Sequence, residues 1–366
     1  LLIAGVRHAL KLRLTKITTI IFLSPPRGAQ KTMNKNQFLE LYAKYCWPIA
    51  RNFISKKMRC RQCLLSEMHG PLLKGVCGEC SKYQSKKTSH ARDEINKQSF
   101  AEDFDALIKS HTGNKKYDAA LMLSGGKDSA YVLQRLSAEY PDFKVLSIIV
   151  NNGFMSPLAI SGAKATAERF RSDLIVVNSH IDAFYQALRK AFLELKGRGC
   201  YGVVDYTDGS MIFQVGTTIT QQLNIPLLIG GLSWTQVQMI VGIHSFTLQK
   251  ENLPLQVFPL AVWQPSENEI RETVRSLDLL PKGYDSPIQS NSELITVMSV
   301  IDVMNLGYCS FEPEFAQMIR EGKADRKTWL YLFEMLEFGT RKNIFKNDLR
   351  RILGKLELSV SDIVKS

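Results

Sequence analysis

The sequence predicts an α/β protein built on a parallel sheet that helices cover on both faces. Three observations predict it. Residues 119–123 are a short, unbroken apolar run, the mark of a strand buried on both sides. That run breaks at Ser124-Gly125-Gly126 and gives way to a helical pattern over 129–138, with Val132, Leu133 and Leu136 on one face. Similar runs recur at 144–150, 173–177 and 225–231, separated by helix-period segments, as right-handed parallel crossovers require.

Taken in order, residues 1–32 mix basic and apolar residues and contain no acid. They lack the continuous apolar stretch of a secretory signal, although a transit peptide would share their composition. Met33-Asn34-Lys35 has the look of a start, so 1–32 are expected to be upstream sequence outside the fold. Residues 33–57 place Phe38, Leu39, Tyr42, Ala43, Cys46, Ile49, Phe53 and Ile54 at helical spacing. This reads as an amphipathic helix, kinked or split by Pro48, with Cys46 an inert thiol on its apolar face.

Residues 58–84 hold Cys60-Arg61-Gln62-Cys63 and Cys77-Gly78-Glu79-Cys80. Two such pairs offer the four thiolates that a tetrahedral Zn²⁺ takes, so Cys60, Cys63, Cys77 and Cys80 are read as a structural zinc knuckle. Redox-active pairs would need a thioredoxin-like setting that is absent here. His69 could stand in for a ligand, but four cysteines suffice. Residues 85–116 read as a connecting segment, with one helix marked by Phe100, Phe104, Leu107 and Ile108 and the rest solvated.

The α/β domain is expected over 117–265. Beyond the first strand and its helix, the strand at 144–150 runs into Asn151-Asn152-Gly153, at the sheet edge where open α/β folds bind ligands. Helices follow through Ala163, Ala167 and Phe170 and over 182–195; His180 reads as an ordinary helix-start residue. A glycine-rich break at 196–202, holding Cys200, leads to a helix through Met211, Ile212, Val215, Ile219 and Leu223. The strand at 225–231 ends in Gly230-Gly231 at the same edge. Trp234, Trp263 and Tyr284 read at least as well as packing residues as they do as a ligand platform. Residues 266–366 form a helical C-terminal region, with helices expected at 267–277, 292–305, 313–321, 326–337 and 345–353. Cys309 shows no ligand spacing.

Composition sets bounds on partners. Of 366 residues, 45% are hydrophobic and 22% charged, which excludes a mainly disordered chain. The formal charge is +12, but Arg7, Lys11, Arg13, Lys16, Arg27 and Lys31 carry half of it. The remainder suits phosphorylated ligands and permits nucleic acid without demanding it. Seven cysteines, an odd number with two paired motifs, point to metal ligation in a reducing compartment. No apolar run reaches the ~18 residues of a membrane span.

The strand–glycine–helix bend carries the chemistry. It presents free backbone N–H groups and a helix N-terminus to an anion, and two glycines let the backbone approach a phosphate closely. Lys127 adds a positive charge, Ser124 and Ser129 add hydroxyls, and Asp128 is a Mg²⁺ ligand or a helix-start residue. A capped Gly-Gly turn is the bland alternative, but Ser-Gly-Gly-Lys-Asp-Ser in this context is far rarer. It is not a Walker A loop, whose spacing differs.

That hexapeptide resembles the PP-loop of the ATP pyrophosphatases, which split ATP into AMP and pyrophosphate while adenylating a substrate. Three pieces in order resemble one branch, the N-acetyl sugar amidotransferases of surface-polysaccharide (lipopolysaccharide) biosynthesis: the knuckle ending Gly75-Val76-Cys77-Gly78-Glu79-Cys80-Ser81-Lys82-Tyr83, the stretch from Tyr117-Asp118 through Ser129, and Ile319-Arg320-Glu321-Gly322-Lys323 with Arg326. The likeness runs from about residue 58 to the C-terminus and is loose outside the first two pieces.

The resemblance implies a cytoplasmic transferase that adenylates the acetamido oxygen of an N-acetylated, nucleotide-activated sugar. Ammonia from a partner glutaminase would then displace AMP to leave an acetamidine. The absence of an N-terminal nucleophilic Cys after Met33 agrees with imported ammonia. ATP, Mg²⁺ and Zn²⁺ are the implied cofactors. Gly125 and Gly126 would hold the outer phosphates, Lys127 and Asp128 would serve catalysis, and Asn152, Gly153, Gly230 and Gly231 would flank the nucleotide. Cys200 would lie on the substrate side. Relatives are richer in Cys near that position, so the segment departs from the pattern. Two alternatives stand beside this reading: a tRNA-thiolating PP-loop enzyme, which would need more cysteines than Cys200 and Cys309, and a non-catalytic ATP-binding regulatory module.

Overall fold

The computed structural model describes residues 41–85, 90–113, 115–178, 181–280 and 291–364. Residues 1–32, Met33, Phe38, Leu39, His180 and Tyr284 lie outside them.

The N-terminal helix expected over 33–57 is broken into short turns where described: a wide, π-type turn at Tyr42–Cys46, helix α1 at Trp47–Ala50 and a tight turn at Arg51–Phe53. Pro48 sits at the start of α1, where its missing N–H costs nothing. The wide turn rotates the chain off the 3.6-residue period, which corrects the expectation for Cys46. Cys46 is exposed, and Trp47 takes the buried position instead, donating its indole N–H to Glu334 at 3.1 Å.

The knuckle segment follows, with the small hairpin β1 (Leu72–Leu73) and β2 (Val76–Cys77) and helix α2 (Gly78–Ser85). Helix α3 then spans His90–His111. It begins well ahead of the Phe100, Phe104, Leu107 and Ile108 positions that marked a helix in 85–116. Phe104 and Ile108, near its end, are its buried anchors.

The core is β3 (Ala119–Met122), α4 (Lys127–Glu139), β4 (Val145–Val150), α5 (Pro157–Arg169), β5 (Asp173–Val177), α6 (Ile181–Leu193), α7 (Tyr206–Gln222) and β6 (Leu227–Ile229). After it come α8 (Trp234–Gln236), β7 (Thr247–Leu248), β8 (Leu255–Val257) and α9 (Pro259–Trp263). The sheet order is β5-β4-β3-β6-β8-β7. All neighbours are parallel except the edge pair β7–β8. Those two strands were not expected, since two and three residues are too short to show a period.

Strand β3 is central, with Ala119 opposite both Val145 and Leu227. Its alternation divides the core. Ala119, Leu121 and Leu123 pack with Val132, Leu133 and Leu136 of α4, whereas Ala120 and Met122 pack with Phe184 of α6 and Ile225. Helices therefore cover both faces, and every residue of β3 and β4 is buried.

The helical C-terminal region comprises α10 (Glu267–Ser276), α11 (Leu294–Leu306), α12 (Glu312–Arg320), α13 (Arg326–Arg341), α14 (Lys346–Lys355) and α15 (Val360–Ile363). Helix α11 is its apolar axis, burying Val297, Met298, Val300 and Ile301. The knuckle cysteines share this second core with Phe311, Phe333 and Leu353. Trp234 and Trp263 serve as packing residues, the first edge-on to Phe100 and the second edge-on to Phe104 beneath the Arg135 guanidinium. No helix among the described residues is long and apolar enough to cross a membrane.

Candidate functional site

The bend after β3 is built around Gly125, whose φ is +73°. A Cβ there would lie 2.1 Å from the carbonyl oxygen of Ala159 on α5, so only glycine fits. Ser129, the third residue of α4, is buried and braces the bend from inside. It accepts from the Ser124 N–H at 3.1 Å and donates to the Gly126 carbonyl at 3.2 Å, and its hydroxyl meets that of Ser124 at 3.1 Å. Asn291, reaching across from ahead of α11, donates to the Ser124 carbonyl at 3.1 Å.

Gly126 caps α4 with extended backbone and no side-chain capping bond, which leaves the first-turn N–H groups open to an anion. Lys127 reaches Asp128 at 2.9 and 3.0 Å. Burial works against the Lys127 charge, but Asp128 and Glu267 outweigh it and hold its pKa above the usual lysine value. A cation and a half-exposed carboxylate thus stand together at a helix N-terminus, the donor set that phosphate and a divalent cation share.

The glycines at the neighbouring strand ends are closely packed, Gly231 less tightly than the other two. Gly153 has φ +84°, with Tyr185 where a Cβ would point, and its carbonyl accepts from Lys355 at 2.8 Å. Gly230 has the Phe213 ring 2.7 Å from a built Cβ, and a Cβ on Gly231 would touch the Ser129 backbone at 3.4 Å. Asn152 is buried rather than open to the sheet edge. Its amide donates to both Asp208 carboxylate oxygens, at 2.7 and 2.9 Å, and its carbonyl accepts from the Phe154 N–H at 2.9 Å.

Beside the bend lies a cavity of about 150 Å³. Its walls include Met122 and Ser124 from the end of β3, Asn152 after β4, Asp205 and Asp208 at the start of α7, and Met298 of α11. The two aspartates are functional candidates that the sequence reading missed. Burial pushes Asp208 up to about 6, against the hydrogen bond from Asn152. Burial, Asp208 and Glu314 push Asp205 up to about 8. Glu314 of α12 is buried and pushed to about 7, by burial and by the charge of Asp128, with Tyr201, Lys127 and Gln236 acting the other way. One signal was available: Asp205, Asp208 and Ile212 fall at i, i+3 and i+7, so two acids share a stripe with an apolar residue.

Cys200 is fully buried in the helical core, and its N–H donates to Asp302 at 2.7 Å. Burial and Asp302 push its thiol far up, and Cys309 is raised in the same way. Neither cysteine lines the cavity.

The structure brings Cys60, Cys63, Cys77 and Cys80 together, all buried, with their sulfurs within 4.8 Å of one another. The Cys60–Cys80 and Cys63–Cys77 separations are 3.7 and 3.6 Å. Zn–S bonds of about 2.3 Å make a tetrahedron with edges of about 3.8 Å, so the donor set fits a single tetrahedral ion. A cubane cluster, binding each thiolate through a different iron, would hold them farther apart. Backbone N–H groups of Leu65, Cys77 and Cys80 point at the sulfurs of Cys63, Cys60 and Cys77, which favours thiolates.

These features define an α/β protein with a mostly parallel six-stranded sheet, a four-cysteine cluster near its N-terminus and a helical C-terminal region. No family model matches the chain, and no curated protein matches it. Solved structures that align with it include a tRNA thiolase from Methanococcus maripaludis with its 4Fe–4S cluster, at 16% identity and a TM-score of 0.35, covering 82% of this chain and 89% of that one. The NMN synthetase of Francisella tularensis aligns at 15% identity and a TM-score of 0.39, covering 72% of this chain and 97% of that one. An NH₃-dependent NAD synthetase from Campylobacter jejuni aligns at 15% identity and a TM-score of 0.33, covering 69% and 96%.

Proposed function

We propose that the chain is a PP-loop ATP pyrophosphatase that amidates an N-acetyl sugar. The supporting observation is the bend at Gly125, where a left-handed glycine, an uncapped helix N-terminus and Lys127 converge. Such a bend suits the outer phosphates of ATP. The acetamido oxygen of the sugar attacks the α-phosphorus and pyrophosphate leaves, giving an O-adenylated imidate. Ammonia then adds to the imidate carbon and AMP departs with the oxygen, leaving an acetamidine.

Gly125, Gly126 and the first N–H groups of α4 hold the departing pyrophosphate, and Lys127 offsets its charge. Asp128 would hold Mg²⁺, which neutralises phosphate charge when bound. The glycines at 153, 230 and 231 would flank the nucleotide with strand-end backbone that packs on Tyr185, Phe213 and Ser129, with Asn152 fixing the cavity floor through Asp208. Ammonium must lose a proton before it attacks, and Asp208, raised only to about 6 and so ionised at neutral pH, can accept one. Zn²⁺ at Cys60, Cys63, Cys77 and Cys80 is structural, because a closed four-thiolate set leaves no position for substrate. Cysteines that ligate metal in place of forming disulfides agree with a reducing, cytoplasmic setting, and the ammonia would come from a glutaminase partner. Cys200, being buried, would support the wall behind the acceptor.

The test is to incubate the protein with ATP, ammonium and nucleotide-activated N-acetyl sugars and to weigh the products. AMP together with a sugar in which NH replaces O supports the reading. ATP binding without AMP from any acceptor would make the chain a regulatory module. Sulfur transfer to tRNA would make it a thiolase, against the burial of both Cys200 and Cys309.

A further inference from the structure

The segment Ile319-Arg320-Glu321-Gly322-Lys323 with Arg326 has no part in the reaction just described, yet it lies between the two chemical centres. We propose that this turn couples the cysteine centre to the phosphate loop, with Arg326 as a positioning residue. The inference rests on the reading of 124–129 as a phosphate loop.

Two continuous paths carry it. Along the first, the Arg326 guanidinium donates to the Cys60 carbonyl at 2.6 Å, fixing the backbone of one knuckle cysteine. Within the turn, the Lys323 carbonyl accepts the Glu267 N–H at 2.8 Å, and the Lys323 ammonium reaches Gln264 at 3.1 Å. Trp329 of α13 donates to the Glu267 carboxylate at 2.9 Å. Glu267 opens α10, and α10 packs along α4, where Tyr131 donates to Glu269 at 2.7 Å. The N-terminus of α4 is the phosphate loop itself.

Along the second, Arg59, beside Cys60, donates to Glu312 at 2.9 Å and to Glu337 at 2.6 Å in a network with almost no exposure. Ser66 and His69 of the knuckle also meet Glu312, at 3.1 and 3.2 Å. Glu312 opens α12, which packs on α8, and α8 follows the Gly230–Gly231 end of β6 that abuts the Ser129 backbone. Both paths run through hydrogen-bonded or close-packed groups from the cysteines to the same bend.

Arg326 is a poor device for stability alone. Its Nε is buried with no partner among the described residues, an arrangement that costs free energy. What it supplies is a rigid fork set between the knuckle backbone and the start of α13.

The experiment uses the full chain with its metal, in three forms: wild type, Arg326→Met and Arg326→Lys. Metal per chain, hydrogen exchange of peptides covering 124–139 and 267–276, and kcat and KM for ATP are read together. Arg326→Met should keep its metal, and exchange at 124–131 should rise by about tenfold. Its kcat should fall by about tenfold with KM within about threefold, and Arg326→Lys should recover part of the loss. Stripping the metal from wild type should raise exchange over the same residues. If Arg326→Met fails to fold, Lys323→Met, which removes the turn's bond to Gln264, is read in the same way. Exchange that rises only within 58–85 and 319–330, with the phosphate loop unchanged, overturns the coupling. Exchange does not depend on turnover. A wild type that makes no AMP would therefore fail the proposed reaction and leave this test standing.

Discussion

The Asn152 side-chain amide donates to both carboxylate oxygens of Asp208, so a residue just after β4 and one near the start of α7 form a single buried unit. The bond favours the ionised carboxylate and thereby limits how far burial raises Asp208. Asn152→Ala should destabilise the protein by about 1–3 kcal/mol, the cost of a buried acceptor left unmatched. The loss should grow as pH rises through about 6, where Asp208 ionises. Urea unfolding at pH 5.5 and 8 checks this, and an equal loss at both would show that the bond does not select the charged form.

Lys127 is the cation of the Ser124–Ser129 bend, paired there with Asp128. Lys127→Ala and Asp128→Ala should each cut AMP formation by about 100-fold or more, from lost stabilisation of the leaving pyrophosphate. Neither side chain anchors the core, so thermal unfolding should stay close to wild type. Normal turnover in either variant would reduce the motif to a turn.

Gly125→Ala meets both a left-handed φ and the Ala159 carbonyl, so the bend has to move. We expect a destabilisation of about 2 kcal/mol or more together with loss of nucleotide binding. Gly126→Ala is a control with milder demands: its built Cβ meets nothing closer than 3.4 Å. Calorimetric titration with ATP should separate the two. Equal binding by both variants would remove the steric argument.

Four thiolates at a tetrahedral edge predict one zinc ion per chain. Cys60→Ser or Cys77→Ser should release it, and the loss should cost several kcal/mol, because ion binding contributes ~10–16 kcal/mol to folding in such knuckles. Elemental analysis with thermal unfolding reads both quantities. Iron with labile sulfide in the purified protein would replace the zinc assignment.

What could be read from the sequence was what neighbours in the chain decide. The strand, the glycines and α4 are contiguous, so Ser124 to Ser129 announced the bend. The two CxxC pairs announced the cysteine cluster because the ligands themselves set the spacing. Asp205, Asp208 and Glu314 showed no more than the i, i+3 spacing of the first two, since their meaning depends on partners such as Asn152, 56 positions away from Asp208. Strands β7 and β8 were too short to show alternation. Cys46 was misplaced because a single wide turn at Tyr42–Cys46 shifts every later residue onto a different face.

The acids around the cavity give stability a specific pH dependence. Asp205, Asp208 and Glu314 are raised to about 8, 6 and 7, so the folded chain keeps protons that the unfolded chain releases from about pH 4 upward. Where the folded state binds more protons, stability falls as pH rises. Their contribution is therefore complete at low pH and is lost progressively up to about pH 8, the three groups titrating as a coupled set. Asp205→Asn removes the largest member, since an amide has no proton to lose. It should stabilise the protein by about 1 kcal/mol or more at pH 8, with a smaller effect at pH 6, and should flatten the profile between them. Urea midpoints at pH 6, 7 and 8 on the metal-loaded protein decide the matter. A variant whose profile is as steep as wild type would mean that Asp205 is already ionised in the folded state at pH 6.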